Sequence, residues 1–346
     1  MNVRWNARER NAQVRRCEFS ELTTSHFLVC DIVLDVLRHH RYNSKVSTSR
    51  VYPVHHQRAN MRIKTFLTLT ALFTVSALSQ HERLVIRCDD IGMCHTVNMA
   101  LEKVIQTGIP VSASIMVACP WYEEAVDILK KHPEVSVGIH LTLNAEWKSY
   151  RWGPVAGAQA VPTLVDSSGY FFPSRAKLFG NNPSLGDIEK ELRAQIKRAL
   201  SSGLTIDYVD YHMSAAVQTP ELKSLLERLA AEYKFGISRW FGEIDVRGAY
   251  AVTPSHKLDT LIAQLSAPLP SAPNLLVFHI GMETEEMNAL VDLNPFGPAE
   301  MSKHRAAEFS ALTSPVFRSL LKDRQFDLMT YRELIRRVGL SSMHRQ

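Results

Sequence analysis

The stretch Arg83-Leu84-Val85-Ile86-Arg87-Cys88-Asp89-Asp90-Ile91-Gly92 constrains the chain more than any other. Leu84 to Ile86 is a short apolar run of the kind that forms a buried strand. It leads into two adjacent carboxylates and then a glycine. Carboxylates at the end of a buried strand cost free energy unless a metal, a proton or a substrate hydroxyl uses them. Asp89 and Asp90 are therefore the first candidates for a site, and the remaining groups must come from later strand ends.

Further along, β-rich runs alternate with amphipathic stretches. Val97, Ala100, Leu101, Val104 and Ile105 form one helical face, with Thr96 as its expected cap and Gly108 as its stop. Val111 to Val117 reads as a strand, Trp121 to Lys131 as a helix and Val135 to Leu143 as a strand. After the long connection from Asn144 to about Gly186, Asp187 to Ser202 repeats apolar residues every four positions. Ile206 to Tyr211, Phe235 to Trp240, Leu275 to Ile280 and Phe326 to Met329 complete about seven strands. Helices are expected at Glu221 to Tyr233, Leu258 to Leu265, Met301 to Leu321 and Tyr331 to Val338. Such alternation predicts an α/β fold with a parallel sheet or barrel.

The long connection carries Trp147, Tyr150, Trp152, Tyr170, Phe171 and Phe172. It is either a lid whose rings stack on a sugar face or a loop pinned down by its own aromatics.

Charge excludes one class of partner. The formal net charge is +5, and residues 1–60, with ten Lys and Arg against five Asp and Glu, account for all of it. The remaining chain sums to zero, which gives no electrostatic case for nucleic acid or an anionic membrane. The five cysteines form no Cys-x-x-Cys pair, so a zinc knuckle or thioredoxin-like motif is not expected.

Residues 1–60 read as an unstructured extension or a mis-assigned translation start. Met61-Arg62-Ile63-Lys64 opens a short basic segment, Phe66 to Leu78 is apolar, and Ala77 and Ser79 precede a cut before Gln80. This is the pattern of a secretory signal peptide over 61–79, with a secreted or periplasmic product spanning 80–346 as a single domain. No stable membrane span is expected after cleavage.

His140, His212 and His279 each fall at a strand end, as the Asp pair does. In parallel α/β folds such ends gather on one face, where sites are built. One carboxylate with two imidazoles suits zinc, iron, cobalt or manganese and leaves positions open.

The ordered segments Cys-Asp-Asp-Ile-Gly (88–92), Val-Ser-Ala-Ser-Ile-Met-Val (111–117), Gly-Ile-His-Leu-Thr-Leu (138–143), Val-Pro-Thr-Leu-Val-Asp-Ser-Ser-Gly (161–169) and Tyr-Val-Asp-Tyr-His (208–212) resemble the YdjC-like carbohydrate deacetylase family. The resemblance runs from about Leu84 to Leu340. It implies a distorted (β/α) barrel of about seven strands with one divalent metal, magnesium or zinc. It implies Asp90, His140 and His212 as ligands and Asp89 as general base. His279 falls where the family has a histidine before Pro-Gly, although Ile280 replaces that proline. Met213, Ser214 and Ala215 also depart from the family's usual histidines.

The implied reaction is hydrolysis of the N-acetyl group of an amino sugar or chitooligosaccharide-like substrate. His279 would donate a proton to the amine or orient Asp89. Arg239 is expected to bind substrate or pair with Asp89, Trp147 and Trp152 to touch the sugar, and Asp210 to orient a ligand or hydrogen-bond the strand turn. A homodimer is also expected. The alternatives are a catalytically silent glycan-binding protein, or a hydrolase for another acyl amide or a phosphoester.

Overall fold

The computed structural model describes residues 81–246, 250–294 and 297–345. The expected extension at 1–60 and signal segment at 61–79 lie outside these residues. Among the described residues, no helix is long and apolar enough to cross a membrane.

The strands are β1 (Arg83–Ile91), β2 (Ser112–Ile115), β3 (Ser136–Leu141), β4 (Ile206–Tyr211), β5 (Gly236–Ile237), β6 (Ile244–Asp245), β7 (Asn274–Phe278) and β8 (Asp327–Met329). All pair in parallel, in the order β5-β4-β3-β2-β1-β7-β6, with β8 also pairing β1. The helices are α1 (His95–Ile105), α2 (Tyr122–Lys130), α3 (Arg175–Gly180), α4 (Leu185–Ser201), α5 (Pro220–Tyr233), α6 (Lys257–Ser266), α7 (Glu285–Asn288), α8 (Met301–Thr313), α9 (Pro315–Asp323) and α10 (Tyr331–Val338). The result is the distorted (β/α) barrel expected from the sequence. Among the described residues it has eight strands against the expected about seven, the additional one being the two-residue β6, which is exposed and too short to show a strand pattern.

Central strands covered on both faces read as continuous apolar runs, and β1 is buried from Leu84 to Ile91. The two-residue period divides its side chains. Leu84, Ile86 and Cys88 join the large core beneath the helices. Val85 points the other way, into a small cluster with Tyr208, Leu275, Met329 and Tyr331. Tyr208 stacks on Tyr331 at 4.3 Å. Its ring has space because its β3 partner is Gly138, where an added Cβ would lie 2.3 Å from ring carbons. This aromatic plug closes the barrel interior below the site.

Two local expectations need correction, and one open alternative is decided. The helix expected over Met301 to Leu321 is two helices, α8 and α9. Pro315 has no N–H to continue the ladder, and the Ser314 hydroxyl caps α9 by accepting the Phe317 amide at 3.0 Å. Cys94, not Thr96, precedes α1, and the Thr96 hydroxyl donates to Glu286 instead. Of the two readings of the long connection, the structure shows the loop pinned down by its own aromatics. Glu191 accepts the amides of Val155 and Ala156 at 3.0 and 2.9 Å, and Trp147, Trp152 and Phe171 are buried.

Candidate metal centre and active site

The period that sends Val85 inward also sends Arg87 and Asp89 inward. On β3 it selects Gly138 and His140, and on β4 Tyr208 and Asp210, with His212 immediately beyond. Adjacent residues of a strand normally face opposite ways, so Asp90 requires a separate cause. The β1–β2 register shifts between Cys88 and Ile91, and Asp90 has φ of +64°. A bulge of this kind re-aims a side chain, and aspartate tolerates the left-handed region better than most residues. Gly92 completes the turn at φ +89°, where an added Cβ would sit 3.2 Å from the Tyr122 backbone.

Asp90 Oδ1 lies 3.4 Å from His140 Nε2 and 3.2 Å from His212 Nδ1. The other nitrogen of each ring faces a carboxylate: His140 Nδ1 is 3.0 Å from Asp210, and His212 Nε2 is 3.0 Å from Glu146. An ionised carboxylate only accepts, so each neutral ring gives its N–H to that outer partner. With both rings neutral, as a bound cation requires, the inner nitrogens present lone pairs, and the buried Asp90 Oδ1 has no donor to pair with. Three acceptors converge on one point, an arrangement that a cation relieves. The donor set and the carboxylate–histidine support fit a divalent ion of the zinc or first-row type.

Charge leads to the same fit. Among the described residues, Asp89, Asp90, Asp210 and Glu146 face two buried guanidinium groups, Arg87 and Arg305. Without a metal, protons on the histidines fill the deficit. Burial disfavours imidazolium, but Asp210 and Asp89 outweigh it at His140 and lift its pKa to about 10. Glu146 and Asp90 do the same at His212, lifting it to about 9. Burial would raise the pKa of Asp90, but Arg305 and the two histidines hold it well below the usual carboxylate range.

A second cluster, Asp89, His140 and Asp210, has comparable spacing. Arg87 sits within it. Its Nε and Nη2 donate to the two oxygens of Asp89 at 2.6 and 2.8 Å, Nη2 lies 3.1 Å from Asp210, and Nη1 donates to Ser238. The chain thus supplies its own cation at that position. Despite burial, Arg87 and His140 keep Asp89 well below the usual carboxylate range.

The site opens into a cavity of about 1180 Å³. Asp89, Asp90, His140, His212, His279, Arg239 and Trp147 all border it. Trp152 does not: its indole N–H donates to the Asn144 carbonyl at 3.0 Å, and its ring packs edge-on 6.3 Å from His212. Arg239 does not pair with Asp89, whose partner is Arg87. It binds Asp245 at 3.0–3.1 Å. The His279 ring lies 5.0 Å from Tyr250, and its amide donates to Glu308 at 2.6 Å. After His212 the chain turns through Met213 and Ser214 at φ +48° and +60°, and both line the cavity.

Sequence reasoning missed Arg87, Glu146 and Arg305. Arg87 was legible, since it stands two residues before Asp89 on one strand. Glu146 and Arg305 reach the site from a long connection and a distant helix, and nothing in their neighbourhood marks them.

Comparison with known proteins agrees with this architecture. A curated carbohydrate deacetylase from Geobacillus stearothermophilus is 30% identical, covering 72% of this chain and 96% of its own length. One from Brevibacillus brevis is 28% identical, covering 73% and 99%. A solved Enterococcus faecalis structure, described as a candidate cellobiose-phosphate cleavage protein, superposes with a TM-score of 0.60 at 20% identity, covering 73% of this chain and 99% of its own. The sequence profile of the YdjC-like protein family matches residues 83–323, and the chain belongs to that family.

Proposed function

We propose that this protein is a metal-dependent carbohydrate deacetylase that removes the acetyl group from an N-acetylated amino sugar or its oligomer. The observation that carries the proposal is the convergence of Asp90 Oδ1, His140 Nε2 and His212 Nδ1, with Asp89 beside them in the same cavity. The names of the curated relatives support the substrate class.

Asp90, His140 and His212 would hold one divalent ion, zinc or magnesium, which when bound supplies Lewis-acid polarisation of the acetamide carbonyl and lowers the pKa of water. Asp210 and Glu146 fix the ring orientations. Asp89 accepts a proton from the water that adds to the carbonyl carbon. Arg87 keeps Asp89 ionised and aimed, at the cost of making it a weaker base. His279, also on the cavity wall, donates a proton to the nitrogen as the C–N bond breaks, leaving acetate and a free amine. Ser174, Ser214 and Gln218 line the same cavity and offer hydrogen bonds to sugar hydroxyls. Arg239 and Trp147 border the place where the sugar would lie. We also propose that the segment 61–79 directs secretion.

The test is acetate release by the full-length chain from N-acetylglucosamine and its oligomers, before and after metal stripping and re-addition of zinc or magnesium. Metal-dependent acetate release supports the reading. A protein that binds these sugars and releases no acetate is the silent glycan binder instead.

A further inference from the structure

Arg305 is hard to explain beside a cation site. It comes from α8, and its Nη2 donates to Asp90 Oδ2 at 2.5 Å. The side chain is almost wholly buried, and its Nε and Nη1 have no hydrogen-bond partner. Its guanidinium lies 5.8 Å over the Trp147 ring. Its stem passes Gly281, where a Cβ would sit 3.1 Å from Arg305 Cβ and 3.6 Å from Cδ. A glycine, an indole face and a ligand carboxylate thus all accommodate one cation, whose charge opposes the binding of another.

What the arrangement gains is control of Asp90. A carboxylate can bind a cation through one oxygen or both. Here Oδ2 is held by Arg305, and Oδ1 alone is left without a partner between the two histidines. We infer that Arg305 is a positioning residue that restricts Asp90 to one donor oxygen, giving up metal affinity to keep a coordination position open for substrate. This rests on the metal-site reading above, and it separates Arg305 from a merely structural ion pair. A structural partner strengthens the site it supports, whereas a restricting one weakens cation binding.

The experiment is calorimetric titration of zinc into metal-stripped full-length wild type, Arg305→Met, Arg305→Gln and Arg305→Lys, with visible absorption of the cobalt(II)-loaded proteins and acetate release alongside. The two neutral variants are expected to bind zinc about tenfold or more tightly than wild type. The cobalt absorption of Arg305→Met should weaken as Oδ2 is freed and the ligand number rises, and acetate release should fall in both. Arg305→Lys keeps the charge and a donor, so its zinc affinity should return toward wild type. If Arg305→Met does not fold, Arg305→Gln still reads the charge contribution to zinc affinity, its amide remaining able to donate to Oδ2. Neutral variants that bind zinc no more tightly than wild type overturn the inference while leaving the metal site standing. Wild type that binds neither zinc nor cobalt overturns the metal-site reading itself.

Discussion

Arg87 and Asp89, two residues apart on the first strand, form a doubly bonded ion pair inside the barrel, with N···O distances of 2.6 and 2.8 Å. The pair lies between the aromatic plug and the convergent acceptors, and Arg87 also reaches Asp210 at 3.1 Å. Removing one partner of a buried pair leaves a charge without compensation, so Arg87→Met should lose about 3–5 kcal/mol of stability at neutral pH. Asp89 has a depressed folded-state pKa. Its contribution is therefore complete above the unfolded carboxylate value and is lost as pH falls from about 4 toward the lower folded value. Urea titrations of wild type and Arg87→Met should show a gap at pH 7 that narrows in that acid window. A gap that does not change with pH contradicts this electrostatic account.

Metal binding should release protons. In the metal-free protein, His140 and His212 hold protons up to about 10 and about 9. Their raised values stabilise the metal-free fold fully below the unfolded histidine value of about 6.5, and that stability is lost as pH rises through 9 to 10. A cation needs the neutral rings. Calorimetry at pH 7.5 in buffers of different ionisation enthalpy should show about two protons released per metal, one from each ligand imidazole. Zinc should also protect the fold between pH 9 and 10, roughly the window of the two titrations. Metal uptake with no buffer dependence would contradict the proposed histidine ligation.

The carboxylates behind the histidines should matter nearly as much as the ligands. Asp210→Asn and Glu146→Gln preserve shape while removing the charged acceptors that orient the two rings. Each should weaken metal affinity by about 10- to 100-fold with the fold retained. Equilibrium titration with a chromogenic zinc competitor reads this directly.

Gly138→Ala tests the plug. The added Cβ would meet the Tyr208 ring, which is held by its stack on Tyr331 and by a 2.8 Å hydrogen bond with Ser114. Overpacking at a site that cannot yield costs about 1–3 kcal/mol or more. A thermal midpoint equal to that of wild type would mean that the ring moves freely.

Much of this architecture is legible in the sequence for one reason. Strands buried on both faces must be apolar, so an acidic or imidazole group at the end of such a run stands out, and β1, β3, β4 and β7 are legible for that reason. β6 is not, because a two-residue exposed strand is fixed by its pairing with β7 and not by its own residues. The bulge that turns Asp90 beside Asp89 is a tertiary feature without a local marker. Trp147 and Trp152 show the opposite limit. Two nearby tryptophans in a long loop read alike, yet one borders the cavity and the other packs against His212.

The central claim is that Asp89 and Asp90, adjacent in sequence, have different tasks: Asp90 holds the metal and Asp89 moves the proton. Metal content and acetate release measured together on full-length wild type, Asp89→Asn and Asp90→Ala test it most directly. The account predicts one equivalent of metal and turnover in wild type, retained metal with turnover reduced by about 100-fold or more in Asp89→Asn, and loss of both in Asp90→Ala. An Asp89→Asn protein that still turns over near the wild-type rate, or an Asp90→Ala protein that still holds its metal, would contradict it.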